Sequence, residues 1–211
     1  MIPVPADVHE WNARRVQIRS ALYATLGDMP PIFTPQPKVS SIEQRDGYRL
    51  EKFSYKNGLD DTVYGYTLVP EHPTGAAVLY CHWHGGQYHL GKDEPFVTAD
   101  GSVWIGQTPR VVSLAQAGYI VVIIDCYAFG DRQHQGPAGE REDGRETEHA
   151  LFKQFLWEGR TLWGMIVYDA LLALNYLLSR PDVDPNRVAV TGASLGGSRT
   201  TWLAALDDRI K

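Results

Sequence analysis

At residues 192–197 the chain reads Gly192-Ala193-Ser194-Leu195-Gly196-Gly197, between an apolar run (188–191) and a helix-like segment (198–206). A buried strand, a Gly-x-Ser-x-Gly turn and a helix in this order predict a serine in a strained turn with its hydroxyl projecting outwards. Glycines two residues to either side leave room for a neighbouring backbone. Ser194 is therefore the candidate nucleophile, and a glycine-rich strand-to-helix turn without chemistry is the alternative.

The residue after this serine supplies a second part of the predicted chemistry. Leu195 opens the helix, so its backbone N–H has no acceptor within the helix and lies at the positive end of the helix dipole. An N–H in that position stabilises the oxyanion that forms when a serine attacks a carbonyl carbon. Leu195 is therefore the first candidate donor of an oxyanion hole.

Three short apolar runs, at 76–80, 120–125 and 187–191, are almost continuous. Such runs are typical of strands that are covered on both faces of a parallel sheet. Helix-like segments lie between them at 109–117 and 161–179, and the second is apolar nearly all the way round. Strands that alternate with helices predict an α/β domain, with a mostly parallel sheet flanked by helices.

The N-terminal part of the chain has a different pattern. Residues 9–26 carry apolar side chains at the spacing of an amphipathic helix, and the Pro-rich residues 30–37 read as an extended connector. Residues 48–55 and 62–69 follow, with strand character and a glycine-containing turn between them. They are predicted to form an antiparallel pair at an edge of the sheet.

A His-Gly-Gly turn follows the first of the buried strands, within His82-Trp83-His84-Gly85-Gly86-Gln87-Tyr88-His89. Glycines at the end of a strand leave backbone N–H groups unobstructed, as the other half of an oxyanion hole requires. Gly86 is the first choice for this donor, and Gly85 and Gln87 stay open as alternatives. No carboxylates or thiols accompany the three histidines at ligand spacing, so no metal site is predicted.

A second loop, 125–132, leaves the sheet at the same carboxyl edge, where parallel α/β sheets bind their ligands. Tyr88 and Tyr127 lie on these two loops and are the predicted substrate contacts. Asp125 ends its strand and is interpreted as an anchor for loop N–H groups rather than as a catalytic acid. The polar segment 130–160 is predicted to form a loop and a helix on the rim of the site, and a solvated insertion without a role in the site is the alternative.

Charge and composition argue against several classes of partner. The net charge of −5 arises from 20 basic and 25 acidic residues without a basic cluster, which does not suit nucleic acid or an anionic membrane. The sequence shows no leader and no apolar run near 18 residues, so we expect a cytoplasmic protein without a membrane span. Cys81 and Cys126 are expected to be reduced, although neighbouring strands would allow one disulfide.

Three motifs together resemble the α/β-hydrolase superfamily: His84-Gly85-Gly86, the Asp-x4-Gly-Asp pattern at 125–131, and residues 184–197. Over residues 45–211 the chain most resembles the branch of the dienelactone hydrolases, acetyl xylan esterases and prolyl oligopeptidases. We therefore divide it into an N-terminal helix with a connector, 1–40, and the N-terminal part of an α/β-hydrolase domain, 41–211. The resemblance implies acyl transfer through an acyl-serine intermediate, a small-molecule ester substrate, a histidine base oriented by an acidic residue, and no cofactor.

The chain departs from this superfamily after the serine. In the superfamily the acid and the histidine follow the serine along the chain, whereas residues 195–211 contain no histidine. We therefore expect a sequence truncated at its C-terminus, with a sheet that lacks its last strands and self-associates through the exposed edge. Two other functions stay open: a serine peptidase of the prolyl oligopeptidase type, and an α/β-hydrolase-like binding module without catalysis.

Overall fold

The computed structural model describes residues 4–97 and 108–211. In that part of the chain six strands form one sheet, in the order β1-β2-β3-β5-β4-β6, with five α-helices around it. The strands are β1 Lys38–Arg45, β2 Tyr48–Lys56, β3 Thr62–Pro70, β4 Ala77–Cys81, β5 Ile120–Ile124 and β6 Val188–Gly192. The helices are α1 Val8–Thr25, α2 Arg110–Gln116, α3 Gly144–Trp157, α4 Leu162–Ser179 and α5 Leu195–Leu206.

The α/β class is confirmed, but the sheet is mixed rather than mostly parallel. The pairs β1–β2, β2–β3 and β3–β5 are antiparallel, whereas β5–β4 and β4–β6 are parallel. The connections between β1, β2 and β3 are short, and parallel neighbours need a crossover of about a dozen residues or more. The first three strands can therefore only form an antiparallel meander.

β1 is the strand that the sequence does not predict. It begins at Lys38, directly after the predicted connector 30–37, and most of its residues are exposed. A strand with no buried face lacks the alternation of apolar and polar residues that marks other strands. Because β1 pairs with β2, the prediction that β2 and β3 lie at the sheet edge is wrong, and β1 forms that edge.

β4 and β5 carry the core on both faces of the sheet. Successive side chains of a strand point to opposite faces, so each strand contributes to two apolar clusters. The cluster shared with α4 and α5 takes Ala77, Leu79, Cys81, Ile120, Val122 and Ile124. The cluster shared with α2 takes Tyr80, Val121 and Ile123. This double burial explains why the two strands read as continuous apolar runs.

Among the described residues α4 is the single helix with the length and apolar composition of a membrane span, so the expectation of no apolar stretch near 18 residues is wrong. Within the protein, however, 78% of this helix is buried. Thr161 caps its first turn by accepting the Gly164 N–H at 2.8 Å, and its hydroxyl donates to the Leu26 carbonyl at 2.8 Å. A Cβ atom on Gly164 would contact the same carbonyl oxygen. The apolar character of α4 is therefore that of a core helix.

α1 forms where the sequence predicts it, but most of the predicted apolar face is exposed. None of its residues is buried, and Trp11 and Val16 are exposed. Arg19 forms an ion pair with Asp208, beyond the end of α5, through N–H···O distances of 2.6 and 2.8 Å. A surface pair of this kind contributes only about 0–1 kcal/mol to stability. The apolar spacing therefore reaches the core only at the C-terminal end of α1, where Leu22 packs against the main cluster and Leu26, directly after the helix, is buried in it.

β6 is the last strand of the described sheet and is less covered than its neighbours. β4 and β5 are buried throughout, whereas Thr191 in β6 is exposed. Beside it an apolar groove of about 520 Å³ lies between α2 and the strands β4 and β6, and its lining includes Val78, Tyr80, Leu114 and Ala189. Self-association through this edge stays a prediction.

Candidate active site

Ser194 occupies the turn between β6 and α5. Its backbone has φ 54° and ψ −121°, in a region that residues other than glycine rarely adopt. Holding a residue there costs about 1–3 kcal/mol, and such residues cluster at functional sites. The side chain is exposed. The strain and the exposure that the sequence predicts for this serine are both present.

The glycines on either side of the serine are required by the close approach of β4. A Cβ atom on Gly192 or on Gly196 would contact the carbonyl oxygen of Cys81, the last residue of β4. On Gly196 it would also lie 2.9 Å from the His82 carbonyl oxygen. The Gly-x-Ser-x-Gly spacing therefore lets the turn rest directly on the carboxyl end of the neighbouring strand.

The Leu195 N–H lies beside the serine and has no hydrogen-bond acceptor among the described residues. Leu195 is the first residue of α5, where an N–H has no partner within the helix. The next N–H, that of Gly196, donates to the Ala193 carbonyl at 2.9 Å. Leu195 thus opens the helix as the sequence predicts, and its role as an oxyanion donor stays a prediction.

The His-Gly-Gly turn is tight and closed on itself. Gly85 and Gly86 have φ of 54° and 73°, a conformation that suits glycine. The Gln87 N–H donates to the His84 carbonyl at 3.0 Å, which closes the turn. The Gly86 N–H, the predicted second oxyanion donor, donates instead to His84 Nδ1 at 3.0 Å. In this conformation Gly86 is therefore already engaged.

The two predicted substrate contacts have different environments. Tyr88 is partly exposed on the His-Gly-Gly loop, and its ring stacks on Phe129 with the centroids 4.7 Å apart. Tyr127 is buried, with only 1% of its surface exposed, so its predicted contact with substrate is wrong. Its hydroxyl accepts from Asn57 at 2.9 Å, and the Arg132 guanidinium lies 3.8 Å from its ring centroid. Its side chain belongs to the core beneath the loop.

The segment 130–160 lies against the His-Gly-Gly turn, as the sequence predicts for the rim of the site. Gly144, the first residue of α3, is so close to Tyr88 that a Cβ atom there would lie 2.6 Å from the tyrosine Cβ. Arg132 anchors the start of the segment through a buried ion pair with Asp169 of α4, at 2.7 Å. The segment is therefore packed on the domain at both of these points.

The sequence profile of the acetyl xylan esterase (AXE1) family matches residues 40–211. The chain belongs to this family of carboxylic-ester hydrolases. It is 35% identical over 199 residues to the protein named "Putative hydrolase YtaP" from Bacillus subtilis (strain 168). The match covers 93% of this chain and 62% of that protein.

Two solved structures share the fold of this esterase-family chain. The crystal structure of BF1801 from Bacteroides fragilis NCTC 9343 has a TM-score of 0.75 at 22% identity, over 96% of this chain and 52% of that one. Acetyl Xylan Esterase 1 from Thermoanaerobacterium sp. JW/SL YS485 has a TM-score of 0.59 at 18% identity, over 100% and 58%. The chain thus spans between half and two thirds of the length of these relatives.

Asp125 anchors the loops of this family member at the carboxyl edge of the sheet. Its buried carboxylate accepts from the Lys92 backbone N–H at 2.6 Å, from Lys92 Nζ at 3.0 Å and from the Asp131 N–H at 3.1 Å. Burial raises the pKa of Asp125 to about 6, although Lys92 opposes that shift. These contacts agree with the structural role that the sequence predicts. Lys92 itself was not predicted, because nothing in the sequence pairs it with an aspartate 33 residues away.

Arg199 is a second buried residue that the sequence analysis missed. It lies on α5, is fully buried, and donates to Cys126 Sγ at 2.9 Å. Cys81 and Cys126 are both free thiols in the structure. The one available signal for Arg199 was a charged residue among the apolar and small residues of α5. The contact between Arg199 and Cys126 therefore links α5, which begins directly after Ser194, to the loop after β5.

His82 is buried and has both ring nitrogens engaged. Its Nε2 accepts the Cys126 N–H at 3.0 Å, so Nδ1 carries the proton and donates to the Trp83 carbonyl at 2.6 Å. Burial, followed by the charge of Arg199, lowers the pKa of His82 to about 3. A histidine in this state holds two loops together and is a poor acceptor for the proton of a nucleophile.

This burial predicts that His82 makes the protein less stable in acid. The unfolded chain takes up a proton at His82 below about pH 6.5, whereas the folded chain does so only near pH 3, so stability falls as the pH falls. Between pH 7.5 and 5.5 the loss is ~1.4 kcal/mol. Protonation of Asp125 acts in the opposite direction between about pH 4 and 6.

Comparison with His82→Gln isolates the contribution of His82, because Asp125 is present in both proteins. Urea unfolding measures the free energy of unfolding of the wild type and of His82→Gln at pH 7.5 and 5.5. The wild type is expected to lose ~1.4 kcal/mol relative to the variant at the lower pH. A difference that stays constant with pH would show that His82 is protonated equally in the folded and unfolded chains.

Proposed function

We propose that this protein is a serine carboxylic-ester hydrolase in which Ser194 is the nucleophile. The observation that carries the proposal is that Ser194, between β6 and the first turn of α5, has a strained backbone conformation and is exposed. The membership of the acetyl xylan esterase family supports an ester as the substrate, and acetyl esters of a carbohydrate are the class that we propose.

The proposed reaction is acyl transfer in two steps. Ser194 Oγ forms a bond to the acyl carbon, its proton passes through a base to the departing alcohol oxygen, and the ester C–O bond breaks. Water then attacks the acyl-serine, which releases the acid and restores the serine. The Leu195 N–H, at the start of α5, stabilises the oxyanion of both tetrahedral intermediates.

Two histidines at the His-Gly-Gly turn, His82 and His84, do not suit the role of base in this reaction. His82 is buried with both nitrogens engaged, and His84 Nδ1 accepts from Gly86 while its Nε2 faces Glu148. We propose that residues 1–211 lack the acid and the histidine of the catalytic triad. Residual catalysis of about 10³–10⁴ over water is what an oxyanion hole and substrate binding give on their own.

Hydrolysis of p-nitrophenyl acetate, with imidazole added as an external base, tests this proposal. The chain is expected to hydrolyse the ester slowly without imidazole and faster with it, because a serine at its ordinary pKa needs a base. Ser194→Ala is the control, since imidazole also reacts with the ester directly. Equal rates for the two proteins at every imidazole concentration would contradict the proposal and favour a binding module without catalysis.

A further inference from the structure

The Gly86 N–H and the His84 ring form a contact that the proposed reaction does not use. The N–H donates to His84 Nδ1 at 3.0 Å, within a turn whose next N–H, that of Gln87, also points back to His84. Both donors at the tip of the turn are therefore turned inwards. For His84 to accept at Nδ1, its ring must carry the proton on Nε2.

Glu148 on α3 lies beside His84 Nε2 and favours the tautomer that carries the proton on that nitrogen. Its carboxylate oxygens lie 3.3 and 3.4 Å from His84 Nε2, and one of them accepts from the Tyr88 hydroxyl at 2.5 Å. A carboxylate beside one ring nitrogen holds the proton on that nitrogen and leaves the other bare. Glu148 therefore favours the form of His84 that engages Gly86.

Aromatic packing fixes the orientation of the His84 ring. The ring meets Tyr88 edge to face, with the centroids 4.9 Å apart, and meets Phe129 in the same way at 5.0 Å. Tyr88 in turn packs against Gly144 at the start of α3. These ring contacts, with α3 and the loop 125–132 behind them, favour the orientation in which the imidazole faces Gly86.

We propose that His84 and Glu148 are positioning residues that keep the Gly86 N–H away from the substrate. This inference rests on the proposed function and deepens it. The oxyanion hole has one preformed donor, Leu195, and gains Gly86 as the second only when the contact with His84 opens. α3 thereby controls the second donor through Glu148.

Two substitutions of His84 separate this role from simple packing. Asparagine at position 84 keeps an acceptor for the N–H two residues on, as in an Asx-turn, so His84→Asn is expected to keep Gly86 engaged. His84→Ala removes the acceptor and is expected to free the Gly86 N–H. Glu148→Ala keeps the ring but removes the carboxylate that holds its proton on Nε2.

NMR tests the contact without any need for activity. Long-range ¹H–¹⁵N correlation is expected to show the His84 proton on Nε2 in the wild type, and a larger share on Nδ1 in Glu148→Ala. Amide exchange of Gly86 should become about tenfold faster in His84→Ala, which is the protection that one hydrogen bond of ordinary strength gives. Exchange equally fast in the wild type and in His84→Ala would overturn the inference.

The rate of labelling of Ser194 by a fluorophosphonate tests the effect on the oxyanion hole. His84→Ala is expected to label at least about tenfold faster than the wild type, since one oxyanion donor contributes about 10²–10³ in kcat. His84→Asn should label at the rate of the wild type. Slower labelling of His84→Ala would overturn the inference, because the closed turn would then assist the reaction. Absence of labelling in every protein, even with imidazole added as an external base, would overturn the proposed function, while the Gly86 exchange rates would still decide whether His84 holds the turn closed.

Discussion

A fluorophosphonate is expected to label this chain at Ser194 slowly, and faster with imidazole added as an external base, and Ser194→Ala is expected to lose the label completely. The reagent reacts with a serine whose hydroxyl is exposed and whose surroundings stabilise negative charge on the phosphoryl oxygen. Ser194 is exposed and lies directly before the Leu195 N–H at the start of α5. The measurement is the intact mass of the protein, followed by peptide mapping of the labelled site.

Ser198→Ala is the matched control for this experiment. Ser198 is also exposed and lies in the first turn of α5, but its backbone is helical and shows no positive φ. The variant is therefore expected to label like the wild type. A label that survives in Ser194→Ala, or that maps to Ser198, would show that the strained turn confers no special reactivity.

Gly196→Ala is expected to destabilise the fold by about 3 kcal/mol or more, the upper part of the range for overpacking a core. The added Cβ atom would contact the Cys81 carbonyl oxygen and lie 2.9 Å from the carbonyl oxygen of His82. Both contacts are with backbone, which cannot rotate aside as a side chain does. The turn must move away from β4, so we also expect Ser194 to lose its strained conformation and its reactivity.

The substitution Gly197→Ala, at the next position, is expected to change the free energy of unfolding in the opposite direction. A Cβ atom there would meet only the Gly192 carbonyl oxygen, at 3.5 Å, which is an ordinary contact. Alanine is favoured over glycine inside a helix by about 0.5–1 kcal/mol, so this variant should be as stable as the wild type or slightly more stable. Urea denaturation of both variants measures the difference. Equal stabilities would show that β4 and α5 can separate at little cost.

The strands and helices of the α/β layer could be predicted because each has a strong local pattern. β4 and β5 are short continuous apolar runs, and α4 is a long segment that is apolar nearly all the way round, so their length distinguishes the strands from the helix. β1 has no such pattern. It is a strand because β2 offers it a free edge, and that pairing depends on tertiary structure.

The candidate nucleophile could be read from the sequence for a similar reason. The Gly-x-Ser-x-Gly spacing reflects a local steric requirement, because the turn passes the end of β4 too closely for a Cβ atom at either glycine. The state of the Gly86 N–H could not be read in this way. It depends on His84 and, through His84, on Glu148, which lies 64 residues further along the chain.

The sequence by itself determined the α/β class, the strained serine at the start of α5 and the two loops that meet at the carboxyl edge of the sheet, because each follows from the chemistry of a few neighbouring residues. Only the tertiary structure decided that Tyr127 is buried beneath Arg132, that Asp125 holds Lys92, and that Gly86 is engaged by His84. The physical reason is distance along the chain. Side-chain contacts between remote segments depend on how the helices and loops pack, and no local sequence pattern predicts that packing.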